Sequence, residues 1–160
     1  MITALISYFE KYTALEEEEV QFLKEHLELR TIKKNELLLE VGKISNEFYF
    51  VLKGCIRLFY NKGIAEKTAF FYVENQFVSS YESFVKQVPA THNFQAIEDC
   101  TVVVISREIS YAIIERFPKF EFLARIMMEE ELMVYQDIIH SFVTLSAEER
   151  YLKMLRSNSP

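Results

Sequence analysis

Between Leu29 and Ile105 the sequence breaks into a succession of short runs rich in Val, Ile, Phe and Tyr, and helical periodicity stands on either side of them. The runs are Leu29–Ile32, Glu36–Val41, Phe48–Lys53, Ile56–Tyr60, Thr68–Val73, Asn93–Ile97 and Thr101–Ile105. Each has the length of a strand, and turn residues separate them. So many short strands can bury their apolar faces only in a sandwich or roll. VLKGCIRLFY and YNKGIAEKTAFF each set a glycine, Gly54 and Gly63, where two strands meet. That pattern fits hairpins turning through a left-handed residue.

The flanks follow another period. Leu5, Ile6 and Phe9 recur at helical spacing, and Glu16–Glu19 precede Val20, Phe22, Leu23 and Leu27. Acidic residues early in a helix complement its dipole, so the acidic run reads as a solvated helix start. Adjacent helix side chains do not converge, which argues against a metal site there. Ser106 is an N-cap candidate for REISYAIIERF, and Pro118 ends that helix or starts the next. Beyond it Phe120, Leu123, Met127, Val134, Ile138, Phe142 and Leu145 keep helical spacing, interrupted by Glu129–Glu131. Such a seam either packs on its own sheet or pairs with a second copy. Its apolar content exceeds one intrachain face, so a homodimer through Phe120, Leu123, Met127, Val134, Ile138 and Phe142 is expected. Ser146 and Glu149 form a capping box that opens a further helix.

Composition narrows the function. A chain of 160 residues with 14 Phe and nine Tyr but only three Gly and three Pro is packed and ordered, one domain or one domain with an appendage. No apolar stretch approaches the roughly 20 residues a membrane span requires, so a cytoplasmic protein without membrane contact is expected. Cys55 and Cys100 stand singly, which reads as reduced and buried. The net charge of −6 is wrong for gripping phosphates, so the chain alone should not bind DNA. His26, His92 and His140 are scattered without ligand spacing, and no metal site is expected. No nucleophile elbow, P-loop or dinucleotide fingerprint occurs, which argues against an enzyme. A metal-dependent cupin-like enzyme would share a β-roll, but its His-x-His ligands are missing.

The order of elements resembles the Crp/Fnr family of bacterial transcription regulators. ELLLEVGKISNEFYFVLKGCIRLFY, with Gly42 and Gly54, resembles the first half of that family's effector domain. TVVVISREISYAIIERFP resembles the last strand and following helix, and LSAEERYLKML, with Arg150, the hinge into the DNA-binding domain. The resemblance implies a mainly β chain with flanking helices (α+β), built on a jelly roll. Residues 1–117 would be the cyclic-nucleotide-binding-like roll with its N-terminal helices, 118–145 the dimerisation helix, and 146–160 the hinge and start of a C-terminal DNA-binding domain. DNA would be bound only through that further domain. Haem is not expected, nor is an iron–sulfur cluster, since no cysteine precedes Cys55.

In the cyclic-AMP-binding members of that family a Gly-Glu pair holds the ribose and an Arg-Ser or Arg-Ala pair holds the phosphate. A gapless match sets Ser79 and Ser80 at the first pair and Ala90 and Thr91 at the second. Both charged anchors are absent, and alanine has nothing to replace a guanidinium. Lys86 reads as solvated. The candidate ligand-binding residues are Ser79, Ser80, Ser83, Ala90, Thr91, His92 and neighbouring Asn93, with Tyr135 and Gln136 where the family contacts the purine. Two readings stay open: a polar site for a small-molecule effector other than a cyclic nucleotide, or a ligand-free dimeric interaction module whose polar groups satisfy one another.

Overall fold

The computed structural model describes residues 2–63, 65–146, 148, 149 and 152. Two N-terminal helices, α1 (Thr3–Glu10) and α2 (Glu17–His26), precede strands β1 (Glu28–Ile32), β2 (Leu37–Leu39), β3 (Glu47–Lys53), β4 (Ile56–Lys62), β5 (Ala65–Tyr72) and β6 (Phe77–Val78). A short helix α3 (Tyr81–Lys86) leads to β7 (Asn93–Ala96) and β8 (Cys100–Ser106), followed by α4 (Arg107–Arg116) and α5 (Lys119–Thr144). The strands form two antiparallel four-stranded sheets, ordered β1-β8-β3-β6 and β2-β7-β4-β5. This is the jelly-roll arrangement with flanking helices.

The period-2 alternation of strands explains how one sheet serves two cores. In β8, Val102 and Val104 join Tyr49 and Val51 of β3 in the core between the sheets, with Tyr72, Phe94 and Ile56 opposite. Val103, Ile105 and Phe50 are buried but lie outside that cluster. On this second face Tyr8 of α1 sets its ring 5.6 Å from Phe50 and 5.3 Å from Phe77. A strand covered on both faces reads as an unbroken apolar run, as CTVVVIS does.

Gly54 departs from the hairpin expectation. It has φ +98° as anticipated, but β3 and β4 belong to different sheets, so its turn carries the chain from one layer to the other. Gly63, at φ +64°, does close a hairpin, with β4 and β5 paired from Ile56↔Tyr72 to Lys62↔Ala65. One member of the acidic run, Glu19, is less solvated than its composition suggests, while Glu16, Glu17 and Glu18 are exposed. Glu19 is 4% exposed, accepts the Glu16 N–H at 2.7 Å in a capping box, and pairs with Lys119 Nζ at 2.8 Å. Lys119 Nζ also donates to Ala14 O, and Arg116 pairs with Glu18. Ser106 caps α4 by accepting from Ile109 N at 3.2 Å, and α5 begins immediately after Pro118.

By internal contacts the chain divides into two compact units, Met1–Lys119 and Phe120–Pro160. In the second, Ser146 and Glu149 make the capping-box bonds at 2.8 and 3.3 Å. Arg150 lies outside the described residues. Among the described residues no helix is long and apolar enough to cross a membrane.

Candidate functional site

The segment joining β6 to β7 is organised by α3. Tyr81–Lys86 makes fewer than two turns, which an isolated peptide would not hold. Its inner face secures it: Ser83 and Phe84 are buried, and Phe84 stands edge-on to Phe48 at 5.4 Å. Gln87 ends the helix in the left-handed region, φ 54°, and its side-chain amide donates to Phe84 O and Ser45 O.

Two of the candidate polar groups in this segment are committed to holding its shape. Ser83, 1% exposed, donates from Oγ to Val88 O at 2.6 Å and accepts from Ser45 N at 2.9 Å. Asn93 accepts from Val41 N through Oδ1 at 2.9 Å and donates to Phe59 O through Nδ2 at 3.4 Å. Ser80 is buried at the start of α3 with no side-chain cap bond, Ser79 is half-buried, and Thr91 is exposed. Lys86 is solvated and paired with Glu82 at 2.9 Å.

Ala90 is 4% exposed and belongs to the core between the sheets. Its N–H donates to Lys43 O and its carbonyl accepts from Gly42 N, both at 2.8 Å, and Ile44 bridges to Pro89 beside it. The position matched to the phosphate-holding arginine is thus a core methyl between two backbone bonds.

His92 differs from its neighbours. Two residues before Phe94, it is half-buried, with ring centroids 5.0 Å from Phe94 and 5.7 Å from Tyr60. Phe94 contacts Tyr72 at 5.8 Å, and Tyr72 contacts Phe70 at 4.8 Å. Among the described residues, His92 Nε2 is the buried side-chain polar atom that has no hydrogen-bond partner. Burial among rings holds the His92 pKa below the usual histidine value, favouring the neutral imidazole. No sequence pattern exposes that isolation, because it depends on which rings the roll brings together.

The other candidates lie elsewhere. His26 is exposed, with Nδ1 2.8 Å from Phe22 O, and His140 is exposed on α5. Among the described residues no group of three or more His, Cys, Asp or Glu could hold a metal ion. Both cysteines are free. Cys100 is buried, whereas Cys55 is half-buried, a correction to the expectation that both are buried, and burial pushes the Cys55 thiol up to about 11. On α5 Tyr135 is half-buried and Gln136 exposed. Phe120 and Leu123 are buried, Met127, Val134 and Ile138 are half-buried, and Phe142 is 55% exposed. Leu132, Met133, Ile139 and Val143, outside the expected seam, are 57–79% exposed.

Residues 29–117 match the cyclic nucleotide-binding domain family. No match is found among curated protein sequences. A cyclic nucleotide-binding domain from Methylobacillus flagellatus KT superposes with a TM-score of 0.76 at 16% identity, covering 91% of this chain and 85% of that one. The c-di-GMP responsive global regulator CLP of Xanthomonas campestris gives 0.71 at 14% identity, covering 91% and 74%. The catabolite activator protein of Thermus thermophilus gives 0.59 at 23% identity, covering 78% and 61%. At these identities the likeness is one of fold, and it includes regulators of the Crp/Fnr type. Together with the family match over most of the roll, it shows that the chain belongs to the cyclic nucleotide-binding domain family.

Proposed function

We propose that the chain is the effector-sensing and dimerising part of a cytoplasmic Crp/Fnr-type transcription regulator that does not respond to cyclic AMP. The observation that carries this is Ala90, a core methyl where the resemblance sets the phosphate-binding arginine. Ser79 and Ser80 at the leading pair are likewise uncharged, and Lys86 is solvated and taken up by Glu82. CLP, described as c-di-GMP responsive, supports the reading that this fold serves other effectors. The chain acts by binding and not by catalysis. With a net charge of −6 it leaves DNA reading to a further domain. Tyr135 and Gln136 enter as effector contacts through the resemblance alone.

Dimerisation is proposed through α5, along the seam that includes Met127, Val134, Ile138 and Phe142 and is widened by exposed Leu132, Ile139 and Val143. The effector would favour one packing of the paired helices, a population shift passed on through residues 145–149. Calorimetry with cyclic AMP tests the first part. Relative to a domain with both anchors, losing two charged hydrogen bonds predicts at least about a hundredfold weaker binding. Sedimentation tests the second: wild type should be a dimer at micromolar concentration and Ile139→Glu or Val134→Glu a monomer. Tight cyclic AMP binding or a monomeric wild type overturns the corresponding part.

A further inference from the structure

In and beside the segment joining β6 to β7, some polar side chains carry bonds that fix the backbone, and one buried polar atom carries none. Ser83, Gln87 and Asn93 have bonds that fix the loop, so none is free to receive a ligand without releasing backbone. His92 Nε2 has no such duty and is nevertheless buried. Leaving a buried polar nitrogen unmade disfavours the folded state by roughly 1–3 kcal/mol, so native chains rarely retain one without a use. Rings stand around it: Phe94 and Tyr60 touch the imidazole, with Tyr72 and Phe70 behind Phe94. Two charged side chains on the neighbouring elements are engaged elsewhere. Arg57 of β4 bonds Gln95 and Glu66 and lies over Phe59, and Lys86 bonds Glu82. Tyr60 is 44% exposed and Thr91 is exposed, so this end of the roll opens to solvent.

We propose that this end of the roll takes a small, uncharged, planar apolar molecule with one hydrogen-bonding group, held by His92 Nε2 and edged by Tyr60 and Phe94. The inference rests on the sensor reading above and specifies its ligand chemistry. A phosphate or carboxylate would bring an anion against the rings that flank His92. An aromatic or similarly flat molecule gains ring contacts of the kind already made there, and its single polar group completes the imidazole. A neutral imidazole presents one donor and one acceptor nitrogen, so a hydroxyl, which is both, suits either tautomer.

The test uses phenol and toluene as probes of equal shape, titrated into the full chain carrying 15N-histidine and followed by the ring-nitrogen resonances. Phenol is expected to move the His92 Nε2 resonance and to bind about fivefold more tightly than toluene, the ratio one neutral hydrogen bond supplies. His92→Phe keeps an aromatic ring at the position and should bind the two probes equally, with its thermal midpoint reporting that the fold is retained. Equal binding of phenol and toluene to wild type overturns the proposal. So does a phenol preference that survives His92→Phe, or binding of neither probe at millimolar concentration. Sedimentation of the same samples separates the two readings: a dimer without a phenol response overturns only this inference, whereas tight cyclic AMP binding overturns both.

Discussion

Replacing Gly54 by alanine isolates how closely the two layers approach at the turn between β3 and β4. At φ +98° any side chain carries about 1–2 kcal/mol of backbone strain. A Cβ there would also lie 2.7 Å from Cys100 Sγ and 3.0 Å from both Asp99 O and Cys100 Cα. Two of these atoms are backbone, fixed where the chain enters β8, so they cannot swing aside as a side-chain tip would. Overpacking of that kind adds about 1–3 kcal/mol, for a total of about 2–5 kcal/mol. Gly42 is the control: it has φ +87°, but nothing stands within 4 Å of its added Cβ, so Gly42→Ala should lose only the strain of about 1–2 kcal/mol. Urea unfolding at one fixed protein concentration measures both, with an unchanged slope required for comparison. Cys100→Ala in the Gly54→Ala background should recover part of the loss, since the sulfur is the nearest atom but not the only one. Equal losses at Gly42 and Gly54, or no coupling to Cys100, would refute the reasoning.

Three further outcomes are expected. His92 has a depressed folded pKa, so the unfolded chain takes up its proton first: stability should be flat above about pH 6.5 and fall as pH drops from there through the lower folded value, a decline that His92→Phe should lack in denaturation at stepped pH. Lys119→Met leaves the buried Glu19 carboxylate without its cation; because Lys119 is partly exposed the loss should be about 2 kcal/mol, read by thermal unfolding, and Glu19→Gln with Lys119→Met should recover some of it. Ala90→Arg should destabilise the chain by more than about 3 kcal/mol and confer no cyclic AMP binding, because its side chain would enter the core between the sheets.

Much of the roll can be read from sequence because its strands are covered on at least one face and therefore carry apolar runs or alternation. Ser106, Gly63 and the Ser146–Glu149 box are likewise legible, since each acts on backbone groups within a few residues. Long-range pairing is not. Nothing near Gly54 says that β3 and β4 enter different sheets, and nothing near Glu19 says that a lysine a hundred residues on will reach it. Strand β6 is two residues long, below any periodic signal, and α3 is held by Phe84 and Ser83 packing rather than by its own propensity. At the candidate site, composition shows the missing charges but not which polar groups are already used. Ser83 and Asn93 look like ligand contacts until their partners are seen, whereas His92 looks ordinary until its isolation is seen.

The place of β8 between β1 and β3 bears on how the chain is made. Glu28 pairs with Val104 and Phe50 with Val103, so the sheet's earliest strands have no central partner until the segment near residue 104 has been translated. During that interval the β4–β5 hairpin can close locally, while Phe48, Phe50 and Val51 wait uncovered on the nascent chain. Pairing across so long a separation is slow, and waiting apolar strands are open to mispairing with other chains. Synthesis paused before β8 should therefore yield a species that chaperones bind and proteases cut, and release of the few residues from Cys100 to Ser106 should convert it abruptly to a resistant roll.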